Sequence, residues 1–110
     1  MLTITTQQEN GHDILLLKGE VDASNSVILD EAITKAVNDG SNSILVDGAG
    51  LEYISSAGLG VFMSYLEDFQ EQEINLKIYS LSDRVYEVFK ILGLDQLMKI
   101  YPDKITALNS

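Results

Sequence analysis

Short strand-like segments alternate with amphipathic helical segments along the whole chain, and this alternation limits the possible folds more than any other feature. Asn10-Gly11, a dipeptide typical of hairpin turns, separates the first two strand-like segments. The complete pattern predicts the order β-β-α-β-α-β-α-β-α over residues 1–110, which we expect to form a single domain. Such an order favours an α/β fold with an open sheet of four to five strands and right-handed crossovers. The opening hairpin makes the predicted sheet mixed.

The predicted strands differ in how they are covered. Leu2, Ile4 and Thr6 alternate with polar neighbours, as in a half-buried strand. Ile14–Leu17 is a continuous apolar run, which is typical of a strand covered on both faces. Further strands are predicted at Ser43–Asp47, Ile74–Tyr79 and Leu97–Tyr101. The glycine-rich stretch 48–50 is predicted to be a turn.

Apolar residues at helical spacing predict the first two helices. The first helix has Asp22 and Ser24 as candidate N-caps and Gly40 as its stop signal. Its predicted core face consists of Ile28, Leu29, Ala32, Ile33, Ala36 and Val37. The second helix is predicted from about Ser56 to about Gln72. Its predicted core stripe is Leu59, Phe62, Leu66 and Phe69.

The last two helices are predicted from their boundary signals. Ser80 and Asp83 have the spacing of a capping box, and Gly93 suits a helix end. The apolar side of the helix between them consists of Val85, Val88, Phe89 and Leu92. Pro102 suits the first turn of a small terminal helix.

Composition argues against several classes of partner and location. The formal net charge is −10 and no basic cluster is present, which disfavours nucleic acids and anionic membrane surfaces. Met1–Asn10 lacks the basic start and apolar run of a signal peptide, and no apolar run is long enough to insert into a membrane. Cysteine is absent, which excludes disulfides, zinc–thiolate sites and cysteine nucleophiles. We expect a cytoplasmic protein.

Signatures of catalysis are missing from the sequence. There is no phosphate-binding P-loop, no dinucleotide-binding glycine motif and no nucleophile elbow, since Ile54 stands where an elbow at Ser56 requires glycine. The single histidine, His12, is interpreted as a solvated residue beside the hairpin turn. We therefore expect no enzyme activity, no metal and no cofactor.

One short stretch combines two serines at a predicted helix start with two glycines in the first turns. In a structural interpretation, Ser55 caps the helix, while Gly58 and Gly60 let it approach the sheet closely. In a functional interpretation, the amide donors and the positive dipole end would hold a phosphate on a serine. The glycines would then leave room for a kinase or a partner. The residues alone leave both interpretations open.

These residues also carry a family resemblance. The segment Tyr53–Gly60 resembles the signature of STAS domains, the family of bacterial anti-sigma factor antagonists. Three further segments extend the match along nearly the whole chain: Leu17–Asp22, Ile44–Asp47 and Val88–Leu94. The resemblance implies a free-standing STAS domain that binds another protein.

The resemblance also implies a modification site and partners. In the family, a serine at the helix start is phosphorylated by a histidine-kinase-like serine kinase that is itself the anti-sigma factor. Matching residue by residue puts this phosphoacceptor at Ser56, with Ser55 as the second candidate. The chain would bind that kinase when unphosphorylated and be released when phosphorylated, with a serine phosphatase as a further partner. The implied partner-binding residues are Asp22, Ser24, Ser55, Ser56, Ala57, Gly58 and Gly60.

The sequence shows one departure from the family pattern and leaves two alternatives open. Ser55 stands where family members of the sporulation and stress type usually carry Asp, which removes a negative charge beside the site. Asp22 is expected in a loop beside the helix start, where it could cap the first helix or contact the partner. The alternative function is a non-catalytic STAS interaction subunit of a lipid-transport ABC complex or of a sensory scaffold.

Overall fold

The computed structural model describes all residues from Met1 to Ser110, and its elements follow the predicted order. The strands are β1 (Leu2–Glu9), β2 (His12–Val21), β3 (Ser43–Ile54), β4 (Asn75–Tyr79) and β5 (Lys99–Tyr101). The helices are α1 (Ser26–Asn38), α2 (Ser56–Glu71), α3 (Asp83–Ile91) and α4 (Lys104–Leu108). A short 3₁₀ helix at Leu94–Gln96 is the one addition, and it leaves β5 shorter than predicted.

The five strands form one mixed sheet in the order β1-β2-β3-β4-β5, which confirms the predicted fold class. Only β1 runs antiparallel to its neighbour, and the other pairs are parallel. Asn10 and Gly11 both have positive φ, at 51° and 85°. Two positive φ values are the requirement of the type I′ turn, whose twist matches that of a two-stranded hairpin.

Helices cover both faces of the sheet, although unequally. Successive strand side chains point to opposite faces, so Leu15 and Leu17 of β2 join a large core with α1, α2 and α3. Ile14 faces the other way and joins a small cluster under α4. This two-sided burial explains why the β2 sequence is a continuous apolar run, as predicted.

The predicted turn at residues 48–50 is wrong, because β3 continues through it to Ile54. The glycines serve close packing instead of chain reversal. A Cβ at Gly48 would lie 2.4 Å from Leu81 Cδ2, and one at Gly50 would lie 2.8 Å from the Leu17 carbonyl oxygen. The pairing register of β2 and β3 also shifts in this region, as expected for an irregular, glycine-containing strand.

The predicted capping box of Ser80 and Asp83 is also wrong. Ser82 is the N-cap of α3, and its hydroxyl accepts a 3.2 Å hydrogen bond from the Val85 amide. Ser80 lies outside the helix with a positive φ of 61°. The Ser82 cap places Asp83 in the first turn, where its charge suits the helix dipole.

Six predicted core residues of the helices are less buried than their spacing indicates: Ile28, Ala32, Val37, Leu66, Val88 and Leu92. Ile28 is 43% exposed near the start of α1, and Leu92 is 55% exposed because it is the C-cap of α3. Leu66 is half-buried and packs against the core, whereas Phe62 of the same predicted stripe is fully buried. The stripe therefore predicts correctly which face of α2 points to the core, but it does not predict how far the buried part of that face extends.

The terminal helix α4 is fixed by polar contacts at its start. Asp103 is its N-cap and accepts a 2.8 Å hydrogen bond from the Thr106 amide, so Pro102 precedes the helix instead of lying in its first turn. Lys104 Nζ lies 2.6 Å from a carboxylate oxygen of Glu9 on β1. These contacts hold α4 over the second face of the sheet.

We expect the buried Tyr79 to limit stability in alkali. Its ring lies in the cluster with Ile14 and Leu45, and burial, reinforced by the carboxylates of Asp47 and Glu9, raises its pKa to about 12. The unfolded chain releases this proton near pH 10. The folded form therefore retains a proton that the unfolded form has lost, and the free energy of unfolding should fall between about pH 10 and 12. Urea unfolding of the wild type and Tyr79→Phe across this range measures the effect, and equal slopes for the two proteins would contradict it.

Candidate functional site

The carboxyl ends of β2 and β3 meet at one edge of the sheet. Val21 pairs with Ile54 in the parallel register, and each is the last residue of its strand. The Ser55 amide then donates a 2.8 Å hydrogen bond to the Val21 carbonyl oxygen. This bond places the loop after β2, which begins at Asp22, beside the start of α2.

Ser55 occupies the N-cap position of α2, but its side chain does not cap the helix. Its backbone is extended, with φ −89° and ψ 174°, and its carbonyl oxygen accepts the first helical bond from Leu59. The Ser55 hydroxyl oxygen is buried and has no hydrogen-bond partner. Ser55 therefore occupies the predicted N-cap position, but its side chain does not make the capping hydrogen bond. No side chain satisfies the first amides of α2.

Ser56 is the first residue of α2 and is exposed. Gly60 follows one turn later on the same helix face, and a Cβ placed there would meet no atom within 4 Å. Met63, 48% exposed, continues this face by a further turn, and Tyr53, 47% exposed, stands just before the helix. We call the surface of Ser56, Gly60 and Met63 the Ser56 face.

Gly58 has a different role from Gly60. It is buried, and a Cβ there would lie 2.6 Å from Val21 Cγ1 and 2.7 Å from Ile54 Cγ1. The helix start can therefore rest directly on the ends of β2 and β3 only because this position lacks a side chain. Ala57, between the serines and Gly58, is half-buried. Close approach to the sheet, proposed for both glycines, holds for Gly58 alone.

The loop after β2 is held in one arrangement by its own polar groups. The Asp22 carboxylate accepts hydrogen bonds from the Ser24 amide at 2.9 Å and the Ser24 hydroxyl at 2.5 Å. These bonds lower the pKa of Asp22, so it carries its negative charge at neutral pH. The Asn25 side chain accepts from the Asp22 amide and donates to the Glu20 carbonyl oxygen.

The N-cap residue of the first helix differs from the prediction. The N-cap position of α1 belongs to Asn25 and not to Asp22 or Ser24. Both predicted caps are engaged with each other, and Ser24 is exposed. Asp22 therefore presents a fixed carboxylate beside the start of α2.

Electrostatics at the start of α2 favour an added anion. The first turn contains no acidic residue, and its amides and the helix dipole give this end a partial positive charge. A phosphate on Ser56 would lie beside these donors. Since the Ser55 hydroxyl accepts no hydrogen bond from these amides, they could donate hydrogen bonds to a phosphate.

The remaining sequence candidates lie away from this site. His12 lies directly beside the hairpin turn, as predicted, but it is half-buried, and its Nδ1 lies 2.6 Å from the Ser43 hydroxyl at the other end of the sheet. The chain contains no cluster of acidic or histidine side chains placed to hold a metal ion. None of its helices combines the length and the apolar character needed to cross a bilayer.

Sequence reasoning missed Met63 as a member of the Ser56 face and Tyr53 as an exposed aromatic residue just before α2. Met63 follows Ser56 by seven positions and Gly60 by three, so the helical period alone could have placed all three on one face. Tyr53 had no such signal, because its exposure depends on the length of β3. The structure brings together Ser55, Ser56 and Gly58 with Asp22, and it leaves Gly60 on the outer surface.

Comparisons with known proteins find related sequences and similar structures. The family model of the STAS domain matches residues 3–107. An anti-sigma-B factor antagonist of Staphylococcus aureus (strain NCTC 8325 / PS 47) is 32% identical over 96 residues, which cover 87% of this chain and 88% of that protein. An anti-sigma factor antagonist from Mycobacterium paratuberculosis has a similar structure, with a TM-score of 0.87, 21% identity, and coverage of 99% of this chain and 92% of that chain.

The fold is also similar to that of SpoIIAA, whose structures include both an unphosphorylated and a phosphorylated form. The unphosphorylated anti-sigma factor antagonist gives a TM-score of 0.80 at 18% identity, covering 97% of this chain and 94% of that chain. The phosphorylated Bacillus cell fate determinant gives 0.71 at 17% identity, covering 97% of both chains. At these identities the likeness establishes the fold.

Proposed function

The chain belongs to the STAS domain family, and from that membership we propose that it acts as an anti-sigma factor antagonist switched by phosphorylation of Ser56. Unphosphorylated, the single domain of residues 1–110 binds an anti-sigma factor that is also a serine kinase. Phosphorylated, it is released. The observation that carries the proposal is the exposed Ser56 at the start of α2, beside first-turn amides that no side chain caps.

Accessibility favours Ser56 over Ser55 as the phosphoacceptor. A kinase must bring the γ-phosphate of ATP in line with the attacking serine oxygen. Ser56 is exposed at the first helical position, whereas the Ser55 hydroxyl oxygen is buried among protein atoms. Phosphorylation of Ser55 would require the helix start to open, whereas Ser56 can react in the folded state.

The Ser56 face supports a direct mechanism for release. It combines small residues at Ser56 and Gly60 with the exposed apolar side chain of Met63, a composition suited to close contact with a protein partner. Phosphorylation adds about −1.5 to −2 charges and considerable volume to this face. The helix start accommodates this charge in the free protein, but a partner packed over it would bury an unpaired charge. Release then requires no large conformational change.

The Asp22 loop extends this partner surface. Asp22 and Ser24 lie beside the start of α2 in a hydrogen-bonded arrangement that needs little ordering on binding. A basic group on the partner would meet the Asp22 carboxylate there. With Ser55, Ser56, Ala57, Gly58 and Gly60, these residues make up the proposed interface region.

Membership of the family supports the proposed roles of the chain and its partners. The partner kinase brings ATP and Mg²⁺, and a serine phosphatase returns the chain to its binding state. This chain acts as a binding protein in the cytoplasm and supplies a substrate hydroxyl and a docking surface. Its state of phosphorylation would thereby control transcription through the sigma factor that the partner holds.

Incubation with the cognate serine kinase and ATP should add one phosphate, on Ser56. Peptide mapping by mass spectrometry locates it. Ser55→Ala should remain a substrate, whereas Ser56→Ala should not. Phosphate on Ser55 alone, or on neither serine, would contradict the assignment of Ser56 as the phosphoacceptor. Pull-down from native cells, with and without phosphatase treatment, identifies the partner.

A further inference from the structure

An apolar groove lies at the end of α2 remote from Ser56. The C-terminal half of α2, the start of β4 and the segment that leads into β5 enclose a volume of about 750 Å³. Its apolar lining consists of Leu66, Phe69, Ile74, Leu76, Leu97 and Met98. Leu97 is 65% exposed although the next residue, Met98, is buried. We call this surface the α2–β5 groove.

The rim of the groove is acidic. Glu67 and Glu73 line it, and neither takes part in the two ion pairs of the protein, which are Lys35–Asp39 and Lys104–Glu9. The one cation on the rim, Lys99, donates a 3.2 Å hydrogen bond to the Asn75 side chain. The groove therefore offers unpaired negative charge around an apolar floor.

The end of α2 adds to this negative potential. Its last turn contains Asp68 and Glu71 near the C-cap and no basic residue. Acidic side chains at a helix C-terminus repel the negative end of the helix dipole, an arrangement that weakens an isolated helix. A cation placed nearby relieves this repulsion, so the charge pattern is complementary to a basic ligand.

We infer that the α2–β5 groove binds a cationic amphipathic helix of a partner protein. Apolar side chains at i, i+3 or i+4 and i+7 of that helix would fill the groove beside α2, the usual helix-in-groove mode. Lysine or arginine side chains flanking them would meet Glu67 and Glu73 on the rim. Leu97, exposed within the apolar lining, is the expected anchor contact.

This docking surface is distinct from the Ser56 face. Ser56 and Phe69 are 13 positions apart on one helix, which corresponds to about 20 Å along its axis. A partner helix in the groove would leave the start of α2 free. The chain could therefore hold one protein through the groove while phosphorylation controls another at Ser56.

A pair of synthetic peptides tests the groove directly. One is a leucine–lysine peptide with helical amphipathic spacing, and the other has the same composition with that spacing scrambled. Fluorescence anisotropy at physiological salt should show at least about tenfold tighter binding of the amphipathic peptide. Leu97→Ser should weaken the binding of the amphipathic peptide about tenfold. Ile91→Ser, an exposed apolar residue outside the groove lining, should change it by less than about twofold.

Three controls distinguish groove binding from the phosphorylation switch, from general charge attraction and from self-association. Ser56→Glu should bind the amphipathic peptide as the wild type does, so the groove and the switch can fail independently. Equal affinity for the two peptides would show general charge attraction and overturn the proposal, as would an unchanged affinity in Leu97→Ser. Sedimentation that shows a dimer dissociated by Leu97→Ser would also overturn it, because the occupant would then be a second copy of this chain.

Discussion

Ser56→Glu should bind the anti-sigma partner at least about a hundredfold more weakly than the wild type, a loss of roughly 3 kcal/mol. The substituted carboxylate adds charge and bulk to the Ser56 face, where the partner must pack. The stability of the free protein should hardly change, because a carboxylate is favourable in the first turn of a helix. Titration calorimetry with the partner kinase, paired with thermal unfolding, separates the two effects.

Two matched variants define the cause of that loss. Ser56→Ala should bind at least as tightly as the wild type, because it removes only a hydroxyl that is outside the core. Ser64→Glu adds the same charge to an exposed position two turns further along α2, and it should reduce affinity far less. If Ser56→Glu binds as tightly as the wild type, phosphorylation acts elsewhere and the switch proposal loses its basis. Equal losses for Ser56→Glu and Ser64→Glu would indicate general charge repulsion.

The alternating pattern of the sequence predicted the architecture because each element carries its own periodic signal. The continuous apolar run of β2 reflects a strand that is covered on both faces. Asn10-Gly11 satisfies the two positive φ values that the hairpin requires. These are local requirements of a strand or a turn, so they can be read from neighbouring residues.

Other features depend on contacts between distant segments, and the sequence could not reveal them. Gly48 and Gly50 have the composition of a turn, but they lie in a strand because Leu81 and the backbone at Leu17 approach them closely. Leu66 has the spacing of a core residue, yet it lies at the edge of a groove that only the packed fold creates. Periodicity gives the direction of a side chain, whereas its burial depends on what the rest of the chain places over it.

The candidate site was predictable in position but not in geometry. The serine pair and the following glycines marked the helix start, and the family resemblance selected Ser56. Nothing in the local sequence distinguishes the buried, unpartnered hydroxyl of Ser55 from the exposed Ser56. That difference arises because the chain turns from β3 into α2 at Ser55, with the Ser55 amide bonded to Val21.

The two glycines of the site should respond in opposite directions to the same substitution. Gly58→Ala should lower the free energy of unfolding by about 1–3 kcal/mol, because its Cβ would overlap the buried side chains of Val21 and Ile54. Gly60→Ala should raise it by about 0.5–1 kcal/mol, since alanine favours the helix and nothing lies within 4 Å of the new methyl group. Urea unfolding of both variants makes the comparison.

The same pair of variants connects the packing of the site to its function. Gly58→Ala should push the start of α2 away from the ends of β2 and β3, which would displace Ser56 and slow its phosphorylation. Gly60→Ala should leave that position intact but add a methyl group to the Ser56 face, so any loss should appear in partner affinity. A Gly58→Ala protein as stable as the wild type and phosphorylated at the same rate would mean that close packing at Gly58 does not position the helix start. In that case the sheet ends would have to yield to a methyl group, although Val21 and Ile54 are almost completely buried.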